Sequence, residues 1–78
     1  MGRHSVKSRH QAELKAFGEN LRRIRIAKGF TQEQLADLAN ISENSIITLE
    51  SGKLNSTIAT CFALAKVLEI EPQELFQF

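Results

Sequence analysis

The chain has one cysteine, one proline and four glycines in 78 residues. A lone Cys61 excludes an intrachain disulfide and fits a reducing compartment, so a cytoplasmic protein is expected. No stretch approaches the roughly 18 uninterrupted apolar residues of a membrane helix, so no membrane partner is expected. The N-terminus lacks an apolar segment followed by a cleavage site, which argues against a secretory signal. Hairpin signals built on Gly, Pro or Asp are missing, and no run alternates with period two, so a sheet is not expected. Catalytic signatures are missing as well: there is no glycine-rich phosphate loop, no His-Glu-x-x-His and no nucleophile elbow. One cysteine with His4 and His10 cannot build a closed zinc site. Neither an enzyme nor a cofactor or metal is expected.

What is present is ordinary globular material, 42% hydrophobic and 24% charged. A chain this short buries only about 60% of the surface that its unfolded form exposes, leaving room for one small domain and no deep cavity. The net charge of +1 conceals an asymmetry. Residues 1–30 carry eight basic and two acidic side chains, whereas residues 31–78 carry two basic and seven acidic ones. That imbalance suggests a polyanion-facing side, with a merely solvated basic tail as the other reading for residues 1–12. Residues 1–12 show no apolar periodicity and are expected to form a flexible basic tail, with the folded domain spanning 13–78.

From Glu13 the pattern is helical. Leu14, Phe17, Leu21 and Ile24 recur at three and four, with Arg22, Arg23 and Lys28 on the outer faces and Gly29 as terminator. Thr31 to Gln34 forms a capping box, and Phe30 before it can staple onto Leu35. The short helix that follows turns Leu35, Ala36 and Ala39 inward and stops at Asn40, which tolerates the left-handed conformation. Ser42 caps the next helix, anchored by Ile46 and Leu49 and ended by Gly52. About three residues join these two helices, the spacing of a helix-turn-helix. Thr57 is the expected cap of a fourth helix whose buried face is read as Ile58, Cys61, Leu64, Ala65 and Leu68. Pro72, at a first helical position after Glu71, opens a fifth, and Leu75, Phe76 and Phe78 close the chain. The expected fold is all-α with five helices.

The segments Leu21-Arg-x-x-Arg25 and Gly29-Phe-Thr-Gln-Glu-x-Leu-Ala36, with Ser42, Ile46, Leu49-Glu50, Gly52-Lys53, Leu64-Ala-Lys-x-Leu68 and Leu75-Phe76, resemble the Cro/C1-type (XRE family) helix-turn-helix. That family includes phage repressors and restriction–modification controller proteins. The resemblance spans residues 21–76 and implies a compact, lambda-repressor-like DNA-binding domain. Asn40, Ile47 and Glu69 depart from the family pattern: Asn40 and Glu69 stand where Gly is usual, and Ile47 where a small polar residue is common.

In such a motif the second helix enters the major groove while the first crosses the backbone. Glu43, Asn44, Ile47 and Thr48 then become candidates for base contacts. Asn44 suits adenine N6 and N7, Glu43 suits cytosine N4, Thr48 offers a hydroxyl or a methyl, and Ile47 offers an apolar contact to a thymine methyl. Phosphate contacts are expected from Thr31, Gln32, Ser42, Ser51, Lys53, Asn55, Arg22 and Arg23, with Gln32 carried over from the family. The resemblance also implies a partly buried ion pair between Arg25 and Glu50. Family members dimerise to read two half-sites, and Phe62, Leu75, Phe76 and Phe78 are the expected two-fold interface. The expected partner is an operator in double-stranded DNA, bound by a homodimeric transcriptional regulator with no effector-sensing domain. The alternative is a protein-interaction module or antitoxin component of the same fold, favoured by the acidic balance of residues 31–78 and by the absence of Lys and Arg from the recognition helix.

Overall fold

The computed structural model describes residues 10–53 and 57–78. Four α-helices lie in it: α1 (Gln11–Ala27), α2 (Gln32–Ala39), α3 (Glu43–Glu50) and α4 (Ile58–Leu68). The expected fifth helix is instead a 3-10 turn over Pro72–Phe76. Five residues are too few for sustained α-helical bonding, and the turn closes on its own side chains, with Glu74 Oε2 accepting from the Glu71 backbone N–H at 3.0 Å. No strand occurs among the described residues.

The local chemistry that starts each helix is in place. Thr31 Oγ1 accepts from Gln34 N at 3.0 Å, while Gln34 Oε1 accepts from Thr31 N at 2.9 Å, so the capping box is reciprocal. Ser42 and Thr57 cap α3 and α4 in the same manner, each accepting from the backbone three residues on. α1 begins at Gln11, two residues before the apolar stripe announces it, because Gln and Ala are good helix formers that leave no periodic signal. The remainder of the expected tail, residues 1–9, lies outside the described residues.

Every element contributes to one core. Leu21 from α1, Leu35 from α2, Ile46 from α3, Leu64 and Leu68 from α4 and Leu75 from the turn are all fully buried. Each such burial is worth about 1.5–3 kcal/mol. α3 packs against both α1 and α2, and α4 packs against α2 and the turn. Two expectations about burial are corrected. Ile58 stands on the solvent side of α4, 68% exposed, because it is the first residue of the helix and precedes the buried stripe. Leu75, expected at a protein interface, belongs to the core at 0% exposure.

α1 and α3 meet backbone to backbone. A Cβ on Gly18 would lie 2.4 Å from the Leu49 carbonyl oxygen and 2.6 Å from that of Glu50, closer than atoms can approach. Gly52, at φ +77°, lets the chain leave α3 against Lys15, whose Cα would be 2.8 Å from an added Cβ. The pose of α3 is therefore set by the surface of α1.

Candidate nucleic-acid interface

Among the described residues, three polar side chains are buried: Asn20, Arg25 and Glu50. Arg25 projects from the last turn of α1 and Glu50 from the end of α3. Arg25 Nε donates to Glu50 Oε2 at 2.6 Å and Nη2 to Oε1 at 3.1 Å, a bidentate fork. The guanidinium also reaches the Phe30 carbonyl through Nη1 at 2.8 Å, fixing the loop between α1 and α2. Gln32, the first residue of α2, joins the same group: its Nε2 donates to Glu50 Oε1 at 3.0 Å. Three helices thus converge on one carboxylate.

Above this cluster lies an open hollow bordered by Arg22, Thr31, Gln32, Ile47 and Ser51. On its α2 side the Thr31 cap occupies the N–H of Gln34, while the N–H groups of Gln32 and Glu33 have no acceptor within the helix and carry the positive end of its dipole. On its α3 side runs a stripe at helical spacing, Asn44, Ile47, Thr48 and Ser51. Asn44, Ile47 and Ser51 are exposed and Thr48 is half-buried. Glu43, also exposed, sits in the first turn of α3.

The expected site residues separate into those brought together here and those that are not. Thr31, Gln32 and Arg22 share the hollow with Ile47 and Ser51. Ser42 has its hydroxyl committed to the α3 cap and to Ser45 Oγ at 2.8 Å. Lys53 is exposed just beyond α3, and Asn55 lies outside the described residues. Arg23 stands apart: its Nη2 donates to Asn20 Oδ1 at 2.5 Å beside the C-terminal turn, because one residue along a helix turns a side chain by about 100°. Phe62, Phe76 and Phe78 are 56%, 52% and 60% exposed, and the Phe76 ring leans on Phe17 with centroids 5.2 Å apart.

Sequence reasoning passed over Asn20. Its Nδ2 donates to the carbonyls of Glu74 and Leu75 at 2.9 and 3.0 Å, latching the C-terminal turn onto α1. The available signal was its place on the apolar face of α1, among Phe17, Leu21 and Ile24.

Among comparisons with known proteins, the family described as Helix-turn-helix matches residues 21–75. The chain belongs to the XRE-type helix-turn-helix family of DNA-binding transcriptional regulators. It is similar to an uncharacterized HTH-type transcriptional regulator of Sinorhizobium fredii, 36% identical over 61 residues that cover 78% of this chain and 79% of that one. Among solved structures it is similar to the restriction-modification controller protein C.AhdI from Aeromonas hydrophila. The TM-score is 0.82 at 42% identity, over 83% of this chain and 98% of the other. A second controller protein, wild-type C.Esp1396I, superposes with a TM-score of 0.74 at 28% identity, covering 95% of this chain and 90% of that one. The helix-turn-helix pair is α2 and α3. Among the described residues, no helix is long and apolar enough to cross a membrane.

Proposed function

We propose that this helix-turn-helix protein regulates transcription by binding an operator in double-stranded DNA as a homodimer, with α3 in the major groove. The observation that carries this is the common border of one hollow: the Gln32 end of α2 and the Ile47–Ser51 side of α3 open onto the same face. Phosphate-holding and base-reading groups must share a face, since a duplex presents its backbone immediately beside its groove. Gln32, Thr31 and the free N–H groups of α2 take a backbone phosphate; Arg22 and Lys53 add charge; Glu43, Asn44, Ile47 and Thr48 meet the bases.

Phe62, Phe76 and Phe78 serve as the two-fold contact between protomers, since three aromatic rings more than half exposed are a large apolar surface for so small a domain. A dimer presents two copies of α3 to half-sites about 34 Å apart. The similarity to two restriction–modification controller proteins supports the reading of this domain as a transcriptional regulator.

Titrating DNA affinity against salt tests the proposal. Binding through several phosphates makes log K fall linearly with log salt, with a slope of about −0.9 per phosphate neutralised. A folded protein with no measurable DNA binding at low salt would instead point to a partner-binding module, for which the exposed phenylalanines would be the docking surface.

A further inference from the structure

The stripe of α3 that faces outward is poor in available hydrogen-bond donors. The helix, Glu-Asn-Ser-Ile-Ile-Thr-Leu-Glu, carries no Lys or Arg. Its hydroxyls are spent internally. Thr48 Oγ1 donates toward the carbonyls of Asn44 at 2.9 Å and Ser45 at 3.1 Å, and Ser51 Oγ donates to the Thr48 carbonyl at 3.0 Å. With its only hydroxyl hydrogen held by its own helix, Thr48 has no donor left for a ligand and can offer only its γ-methyl and the lone pairs of Oγ1. Beside it Ile47 is 43% exposed, an aliphatic side chain on a surface that the core does not need. One amide, that of Asn44, and two neighbouring aliphatic groups therefore make up the centre of the face.

Resting on the DNA-binding function proposed above, we infer that Ile47 and Thr48 form a methyl-reading patch that recognises the C5-methyl group of a pyrimidine in the major groove. The chemistry is shared by thymine and 5-methylcytosine, while uracil and unmodified cytosine lack it. An aliphatic patch gains by covering a methyl group and loses by covering the bare polar edge of a base without a partner. Covering one methyl is worth about a four-fold change in affinity, and about sixteen-fold when both half-sites of a symmetric operator carry it.

The test uses the full chain and a duplex enriched from a random library, with affinity measured at one fixed salt concentration. Each thymine is replaced in turn by deoxyuridine, and each cytosine in turn by 5-methyldeoxycytidine. Binding by the unaltered protein is expected to weaken about four-fold for uracil at one or two positions per half-site, marking thymine as the source. A cytosine at which methylation tightens binding by about the same factor marks 5-methylcytosine instead. Ile47→Ala and Thr48→Ser are expected to abolish that response, whereas Thr48→Val, which keeps the methyl and loses the hydroxyl, retains it. Thermal melting of each variant confirms the fold. Specific binding with no methyl-sensitive position overturns the inference alone, as does a Thr48→Ser protein that responds like the parent while Thr48→Val does not. Failure to enrich any sequence removes the DNA-reading function and the inference with it.

Discussion

Gln32 Nε2 lies 3.0 Å from Glu50 Oε1, so the side chain proposed to meet a DNA phosphate is held by the same carboxylate that pairs with Arg25. The first helix of the motif, the second, and the preceding α1 are thereby fixed to one another at a single point. Because that point is buried, the orientation of α2 relative to α3 is set before any ligand arrives, and binding incurs little ordering cost there.

Removing one member of this pair leaves the other charge buried without a counter-ion. Arg25→Ala is expected to destabilise the domain by about 3–5 kcal/mol, because both side chains are more than nine-tenths covered. A lowered urea midpoint with an unchanged m-value checks this. The folded fraction should keep its preference among DNA sequences. Unaltered melting of the variant would contradict a structural role.

Gln32 and Arg22 border the same hollow but differ in charge, and salt separates their contributions. Gln32→Ala is expected to weaken binding about five- to ten-fold across all sequences with the salt slope unchanged, since a neutral amide releases no counterion. Arg22→Ala should reduce the slope by about 0.9. Affinity measured at four or five salt concentrations on specific and random duplexes distinguishes the two.

Gly18 offers a case in which helix propensity and packing oppose each other. Ala is favoured over Gly in a helix interior by about 1 kcal/mol. Here the added methyl would sit 2.4 Å from the Leu49 carbonyl oxygen, which belongs to backbone and cannot rotate aside. Gly18→Ala is therefore expected to lower stability by about 1–3 kcal/mol in a denaturant melt. A stabilised variant would show that α1 and α3 are less closely apposed.

The exposed phenylalanines give a prediction about assembly. Phe62 and Phe78 are 56% and 60% exposed, so Phe62→Glu and Phe78→Glu should leave the fold intact while converting a dimer to a monomer in sedimentation. Asn20→Ala, which frees the carbonyls of Glu74 and Leu75, should cost about 1–3 kcal/mol and weaken the dimer by releasing the turn that carries Phe76. A dimer insensitive to both charged variants would place the interface elsewhere.

Much of the fold was legible because helix boundaries are written locally. Thr31, Ser42 and Thr57 announce their helices by residue type, and Asn40 at φ +60° takes the left-handed stop that its chemistry allows. The resemblance anticipated the Arg25–Glu50 pair. What escaped depends on chain segments distant in sequence. Asn20 is buried because residues 74 and 75 return to it, and Leu75 is core because α1 and α4 cover it. Glu69 holds φ +58° at the end of α4 without a glycine, and only the tertiary fold makes that conformation worth its strain. On the candidate face, residue types indicated which side chains are polar, but not that the hydroxyls of Thr48 and Ser51 are turned to their own helix.

The most direct test is selection of binding sites from a random duplex library at near-physiological salt. A dimeric operator-binding regulator enriches a two-fold palindrome whose half-sites are centred about one helical turn apart. A folded protein that enriches no sequence would contradict the central claim that α3 is a DNA-reading helix.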